Sequence, residues 1–463
     1  MFCITCVTIA IGFIIWTVYK FFNSKDKRKP PQLDPNEWWG PEDLKGKQDE
    51  SIRPFEVKFS DEMIQDLKDR LKNHRPIIPP LEGVGFRYGF NSTQLPSWLS
   101  YWAEEYPFKE RERFFNKYPH YKTSIQGLDI HFIWVKPQVP SGVKVLPLLM
   151  MHGWPGSMRE FYEVIPMLTR QTPGYDFVFE LIIPCMPGYG FSDAPSRPGL
   201  GAPKVAVIFR NLMKRLGFEQ YYVQGGDWGA VIASAMATLY PEDLLGHHSN
   251  VATARNLKTS MWSLIGAYFP SLVAEPHQAS RMYPLYGWLE FAVEELGYFF
   301  IQTTKPDTIG IALSDSPVGL LVYILEKFST WTCREYRDRH DGGLCLRFTK
   351  EQLIDNLMVY WCSNSIVTSL RFYAESFSKA TRALDLDSYP TPVPTWALQA
   401  PHEILYQPPK LLQMKFTKLL GHTHLDDGGH FIALEQPRVL AEDVFTAVRA
   451  FREWHFSNGN TDC

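Results

Sequence analysis

The sequence predicts an α/β protein: a largely parallel β-sheet with crossover helices, interrupted by one long helical insertion. Three observations carry this. Strand-like and helix-like segments alternate from about residue 145 to 247 and again from 393 to 455, the pattern of parallel strands joined by crossover helices. Residues 250 to 388 break the alternation with helix-rich, aromatic sequence lacking strand punctuation, which suits an inserted helical cap. Between them lies Tyr221-Tyr222-Val223-Gln224-Gly225-Gly226-Asp227-Trp228-Gly229-Ala230. There a β-prone run ends in a small-residue turn and a helix-prone segment follows to about Tyr240.

Size and charge narrow the possibilities. The 463 residues, 45% apolar and 14% aromatic, suffice for a large core and one to three domains. A net charge of −3 gives no reason to expect a nucleic-acid partner. The cysteines number seven, at positions 3, 6, 185, 333, 345, 362 and 463. They form no close pair with metal-ligand spacing and read as mostly reduced thiols of a body facing the cytosol.

At the N-terminus, Met1 to Tyr19 carries no charge and is mostly apolar. At ~1.5 Å per residue such a helix just spans a hydrocarbon core of roughly 30 Å. The run ends in Trp16, Tyr19, Phe21 and Phe22 rather than in small residues before a cleavage site. Lys20, Lys25, Lys27, Arg28 and Lys29 follow, and the positive-inside rule then puts the body in the cytosol. The expectation is an uncleaved, single transmembrane helix that partners the membrane.

Taken in order, residues 1–22 are expected as this anchor and 23–140 as a linker and N-terminal meander wrapping the core. Residues 141–248 and 391–463 form the two parts of the core, and 249–390 the cap. The linker is Pro-rich and ends in Trp38-Trp39-Gly40-Pro41, two tryptophans suited either to a membrane interface or to packing on the body. Ser60 reads as an N-cap, with Asp61 and Glu62 in the first turn and Met63, Ile64, Leu67 and Leu71 on one face, the helix ending near His74. A second helix is expected from about Gln94 to Tyr106. From Lys122 to Val135 the period is two, with a turn around Gly127 joining antiparallel strands.

Val145 to Met151 is a continuous apolar run typical of a strand buried on both faces. It delivers His152-Gly153-Trp154-Pro155-Gly156-Ser157 and then a helix to about Leu168. Strand Val178 to Ile183, helix Pro203 to Leu216 and strand Tyr221 to Gln224 follow. Beyond the insertion come strand Val393 to Leu398, a helix near Pro409 to Phe416, strand Leu419 to His424 and a last helix from Pro437 to His455.

The turn at Asp227 has the form Gly-x-nucleophile-x-Gly of a nucleophile elbow, which makes the fold an α/β-hydrolase fold with an inserted helical cap. Small residues are required where strand and helix nearly touch, and the strained middle residue lifts its side chain out. Because that residue is Asp227, attack gives an alkyl-type ester, whose hydrolysis needs a base to activate water. The chain order in this fold is nucleophile, acid, His. His430, in the Gly-rich loop Asp426-Asp427-Gly428-Gly429-His430-Phe431 after the last strand, fits the base. His422 and His424 lie inside that strand and fit less well. Glu403, after strand Val393 to Leu398, fits the acid, whereas Asp426 and Asp427 stand too near His430 in sequence. Backbone N–H groups of Trp154 and Trp228 are the candidate oxyanion hole, since Pro155 has no N–H to offer.

These parts serve several substrates. An epoxide leaves an alkoxide and needs a proton donor such as a phenol; a haloalkane leaves halide and needs indole or amide N–H groups. Nine tyrosines lie between 250 and 390, and composition does not choose among them. A dehalogenase on the same scaffold, and a silent membrane-anchored lipid- or hormone-binding protein, stay open on the residues alone.

The chain closely resembles epoxide hydrolases of the microsomal class, the group that includes the juvenile hormone epoxide hydrolases. The similarity covers nearly the whole chain. It runs through Asn36 to Pro41, His152 to Ser157, Pro187 to Ser192, Gly225 to Gly229, Gly297-Tyr298, Thr304 to Thr308, Ser316 to Gly319, Glu326 to Trp331, Arg371 to Tyr373 and Gly428 to Phe431. The resemblance implies that Tyr298 and Tyr373 protonate the epoxide oxygen, that the substrate is a small hydrophobic epoxide, and that no cofactor or metal is needed. It also implies an anchor in the endoplasmic reticulum with the catalytic body in the cytosol.

Overall fold

The computed structural model describes residues 28–459. Nine strands make one sheet: β1 (Arg53–Phe55), β2 (His120–Ile125), β3 (Leu128–Val135), β4 (Lys144–Met151), β5 (Phe177–Pro184), β6 (Tyr221–Gly225), β7 (Leu244–Ser249), β8 (Thr395–Gln399) and β9 (Leu419–His424). Their spatial order is β1-β2-β3-β5-β4-β6-β7-β8-β9. The pairs β1/β2, β2/β3 and β3/β5 are antiparallel and all the others parallel. Strand β4 therefore lies beside β6, and the loops that leave their C-terminal ends meet. Every residue of β6 and the last four of β4 are buried, because helices cover both faces of a parallel sheet.

The helices that matter here are α1 (Asp61–Lys72), α2 (Leu95–Ser100), α3 (Phe108–Phe115), α4 (Ala202–Arg215), α5 (Asp227–Leu239) and α13 (Pro437–Ser457) around the sheet. Between β7 and β8 lie α6 (Leu257–Tyr268), α7 (Leu285–Glu295), α8 (Gly297–Thr304), α9 (Pro306–Asp315), α10 (Pro317–Thr330), α11 (Lys350–Ser363) and α12 (Ile366–Ser376). This is an α/β-hydrolase fold with a helical cap. Helix α1 is capped as expected, Ser60 Oγ accepting from the Met63 N–H at 3.1 Å.

Several elements differ from the sequence reading, each for a local reason. The helix expected from Gln94 to Tyr106 is α2 followed by a π-turn over Tyr101–Glu105, which aims the Tyr106 hydroxyl at Asp355, 2.8 Å away. The helix expected to run to Leu168 is two short turns, Met158–Phe161 and Ile165–Leu168; Pro166 cannot donate to a longer one. The helix expected to reach Phe416 stops at Leu412, where the chain swings so that Thr391 donates to the Lys415 carbonyl at 2.8 Å and accepts from Thr417 at 3.1 Å. Strand β1, only three residues long and containing Pro54, was not anticipated, nor was β7. In β7, Gly246 lies under the Phe451 ring, where a Cβ would come within 2.1 Å.

Trp38 and Trp39 pack on the body. They are 5% and 1% exposed, and the Trp39 N–H donates to the Gln126 carbonyl at 2.8 Å. Cys185, Cys333, Cys345 and Cys362 are free thiols; Cys3, Cys6 and Cys463 lie outside the described residues. So does the expected anchor at residues 1–22. Among the described residues no single helix is long and apolar enough to cross a membrane.

The N-terminal meander, core and cap are tied together at one buried charge. Asp355 of α11 is fully buried and accepts from Arg111 of α3 at 2.7 Å, from Arg159 at 2.7 Å and from Tyr106 at 2.8 Å. Removing the carboxylate takes the shared buried partner from two buried guanidinium groups, leaving Arg111 with Glu351 at 2.8 Å and Arg159 with Glu163 at 2.7 Å, both more exposed. Breaking a buried pair in this way typically costs about 3–5 kcal/mol. Asp355→Ala is therefore expected to destabilise the protein by about that much, measured by denaturant unfolding followed through tryptophan fluorescence.

Candidate active site

The turn from β6 into α5 places Asp227 at φ +48°, a left-handed backbone uncommon for a residue with a side chain. The glycines around it are required by close approach: a Cβ on Gly229 would lie 2.1 Å from the Met151 carbonyl oxygen, and one on Gly153 would lie 2.1 Å from Asp227 Oδ1. Asp227 opens α5, so its carboxylate stands at the positive end of that helix. Its Oδ1 accepts from the Trp154 backbone N–H at 2.8 Å. The Trp228 N–H is one of the first helical donors, which have no acceptor within the helix.

The loop that carries Trp154 is held by the cap. Asn356 of α11 donates to the Pro155 carbonyl and accepts from Ser157 Oγ, both at 2.7 Å, and the Tyr360 hydroxyl donates to the Gly156 carbonyl at 2.7 Å. Two cap side chains thus fix where the Trp154 N–H points, through three hydrogen bonds.

His430 comes from the loop after β9. Its backbone N–H donates to the Trp331 carbonyl at 2.9 Å, and its ring lies 5.0 Å from the Trp331 ring, edge to face. Nδ1 is 2.9 and 3.0 Å from the two Glu403 oxygens, and Nε2 is 3.5 Å from Asp227 Oδ2. Glu403 follows β8, and its Oε1 accepts from the Ile404 N–H at 2.8 Å. Burial alone would pull the His430 imidazole down; the Glu403 and Asp227 carboxylates outweigh it and hold the ring well above its ordinary value. His422 and His424 are exposed on β9, and Asp427 pairs with Arg347 instead.

The cap brings its two tyrosines to the same place. Tyr298, at the start of α8, stacks on Trp154 with centroids 5.6 Å apart and planes 6° apart. Tyr373 of α12 meets the Trp228 ring edge to face at 4.8 Å and the Tyr298 ring at 6.1 Å. Both hydroxyls are pushed well above the usual phenol range, by burial first and then by neighbouring groups that include Asp227. They are protonated, and therefore donors, throughout the neutral range. Asp227, His430, Glu403, Tyr298, Tyr373, Trp154 and Trp228 thus share one buried space. Together they can deliver a carboxylate, a base oriented by an acid, backbone donors for an oxyanion and phenolic protons.

Two carboxyls escaped the sequence reading. Glu160 faces an enclosed cavity of about 20 Å³ that Asp227, His430, Gly153 and Trp154 also line, enough for one water molecule. Burial pushes Glu160 up to about 8, opposed by His430 and aided by Asp227. Glu435 holds the base loop, accepting from the Gly429 and Phe431 N–H groups at 2.8 Å. Burial pushes it to about 8 as well, against those two hydrogen bonds. Only enclosure makes these residues unusual, and no local pattern announces it.

Between about 4.5 and 8 folded Glu160 keeps a proton that the unfolded chain has lost, so its contribution is full below 4.5 and falls away as pH rises towards 8. Glu160→Gln removes that slope. Its stability relative to the unsubstituted protein is expected to improve from pH 5 to pH 8, measured by denaturant midpoints across that range.

Comparison with known proteins bears on the family and the fold. Residues 52–161 match the epoxide hydrolase N terminus and residues 147–268 the alpha/beta hydrolase fold. The chain is 59% identical over 423 residues to juvenile hormone epoxide hydrolase of Bombyx mori, covering 91% of this chain and 92% of that one. The chain belongs to the epoxide hydrolase family. It is also 45% identical to epoxide hydrolase 1 of Oryctolagus cuniculus, over 94% of this chain and 96% of that one. The crystal structure of the silkworm juvenile hormone epoxide hydrolase superimposes with a TM-score of 0.90 over 91% of this chain and all of that one. This epoxide hydrolase therefore resolves the choice that a carboxylate nucleophile leaves open: the substrate class is epoxides rather than haloalkanes, and the protein is an enzyme rather than a silent binder.

Proposed function

We propose that this epoxide hydrolase converts hydrophobic epoxides, juvenile hormone foremost, to vicinal diols through a covalent ester on Asp227. The observation that carries the mechanism is the placing of Asp227 between the His430–Glu403 pair and the two buried phenols. With Oδ1 held by the Trp154 N–H, Oδ2 is the attacking oxygen. It bonds to the less hindered epoxide carbon, that C–O bond of the ring breaks, and the leaving oxygen takes a proton from Tyr298 or Tyr373. Water then gives a proton to His430 Nε2 and adds to the ester carbonyl. Glu403 balances the imidazolium while the Trp154 and Trp228 N–H groups hold the oxyanion, a loss of about 3 kcal/mol if one donor is removed. Collapse breaks the bond between the ester carbonyl carbon and the alkyl oxygen, and that oxygen takes the imidazolium proton to complete the diol. The proton left on the Asp227 carboxyl returns to the phenolate, which restores the carboxylate with one oxygen from water. The cavity between His430 and Glu160 is where that water sits.

Juvenile hormone as preferred substrate rests on the silkworm relative. The test compares kcat/KM for juvenile hormone, an epoxy fatty acid and styrene oxide; a preference for styrene oxide would redirect the reading to foreign epoxides. Tyr373→Phe is expected to slow ester formation about 10–100-fold, less than the roughly 10²–10⁴-fold of a lone general acid because Tyr298 still donates, with ester hydrolysis unchanged in single-turnover kinetics. The uncharged run Met1 to Tyr19 and the lysines after it support a single-pass anchor in the endoplasmic reticulum membrane with the catalytic body in the cytosol.

A further inference from the structure

Of the nineteen large apolar side chains exposed among the described residues, twelve lie between Leu257 and Ile311. Six of them stand on two neighbouring segments of the cap, its α6–α7 edge: Leu264 and Tyr268 on α6, Phe269 just after it, and Tyr286, Trp288 and Leu289 on α7. The Tyr283 hydroxyl before α7 donates to the Ser263 carbonyl of α6 at 2.8 Å. Tyr268 is 84% exposed and Tyr286 67%. A soluble surface scatters such residues singly, and a contiguous patch marks an interaction site.

A cavity of about 830 Å³ opens at this edge. Leu264 and Trp288 line it while standing 61% and 52% exposed, so the apolar edge is also the rim of its mouth. Its inner wall includes Glu403, the carboxylate 2.9 Å from His430 Nδ1. The volume is that of a site for a small hydrophobic ligand.

The way the chain enters the body points to what covers the edge. Arg28, the first described residue, lies 4.8 Å over the Tyr389 ring. Tyr389 directly follows the turn Leu386–Ser388, and the Asp387 carbonyl in that turn accepts from Asn256 Nδ2 at 3.1 Å. Asn256 is the N-cap of α6. The described chain therefore begins beside the N-terminal end of α6, at the foot of the same apolar edge. Residues 255 to 295 carry three basic and four acidic side chains, which excludes attraction to an anionic surface as the driving force. Aromatic and aliphatic residues around a mouth suit insertion into the headgroup boundary of a neutral bilayer.

We propose that the α6–α7 edge of the cap docks on the phospholipid bilayer, so that the cavity mouth opens into lipid and a dissolved epoxide enters the enzyme without crossing water. This rests on the reading of the substrate as a lipid-soluble epoxide. The test uses the full chain in phosphatidylcholine vesicles, with Tyr268, Tyr286 and Leu289 each changed to Glu in one variant. None of the three lines the cavity. Styrene oxide supplied in water serves as the control, and juvenile hormone confined to the vesicles as the probe. The expected result is an unchanged kcat/KM for aqueous styrene oxide and about a tenfold fall for vesicle-borne juvenile hormone, insensitive to salt. Hydrogen exchange over residues 257–293 should be slower in vesicles for the unsubstituted chain and not for the variant. Equal vesicle-borne turnover by both proteins overturns the proposal. So does a change from dimer to monomer with turnover intact, which would make the edge a contact between two copies. If the unsubstituted chain turns over neither epoxide, the functional reading fails instead.

Discussion

Asp227→Ala is expected to lower kcat/KM for epoxide opening by about 10⁴-fold or more, the scale at which an enzyme loses its covalent nucleophile. The substitution removes the carboxylate placed against both the Trp154 N–H and His430, at 2.8 and 3.5 Å. Alanine also relieves the φ of +48° only in part, since any Cβ is disfavoured there; the fold is held by the surrounding sheet. The chemistry has a second signature. In a single turnover of the unsubstituted enzyme in heavy-oxygen water, the diol should carry no solvent oxygen, because the oxygen it gains comes from Asp227. Label should then reside in the Asp227 carboxylate and appear in diol only on later turnovers. Undiminished diol formation by Asp227→Ala, or full label in the first diol, would sink the covalent route in favour of direct attack by water.

Which parts of this site could be read from the chain follows from how local their causes are. The elbow is legible because its constraint lies within five residues: strand and helix touch at Gly225 and Gly229, and the side chain between them must project. His430 and Glu403 are legible through chain order, since each follows a core strand whose end opens on the same edge of a parallel sheet. Tyr298 and Tyr373 are different. They stand 75 positions apart on α8 and α12, among nine cap tyrosines, and only the way α12 packs against α8 and α9 brings them together. Pattern could not select them, and the family resemblance did. Glu160 and Glu435 are harder still, because nothing but enclosure distinguishes them from surface carboxylates. In the fold, β7 escaped because Leu244-Leu245-Gly246-His247-His248-Ser249 mixes apolar with polar residues. Its histidines are buried by neighbours far away in sequence, Asp443 holding His248 at 2.8 Å. The tryptophans at 38 and 39 were ambiguous for the same reason. Their partners, Gln126 and Gly127, are a turn nearly ninety residues on.

His430→Gln is expected to separate the two halves of the reaction. Ester formation needs Asp227 and the phenols, none of which the substitution removes, so one equivalent of epoxide should still be consumed. Ester hydrolysis should fall by about 10²–10⁴-fold, the contribution of a positioned general base. The ester would then accumulate and be seen as a mass increase equal to the whole substrate on the peptide containing Asp227. Glu403→Gln should act in the same direction but more weakly, because the imidazole keeps its place through the Trp331 carbonyl and the Glu435 clamp on the backbone either side of it. Alkylation also changes the base itself. In the resting enzyme Asp227 helps Glu403 hold His430 well above its ordinary value, which would make a poor base. Esterification removes the Asp227 charge, and that support for the imidazolium goes with it. The first step therefore prepares the base for the second. Hydrolysis of the ester should accordingly titrate at a lower pH than the free enzyme's imidazole, and single-turnover rates measured across pH for each step would show the two profiles displaced in that order.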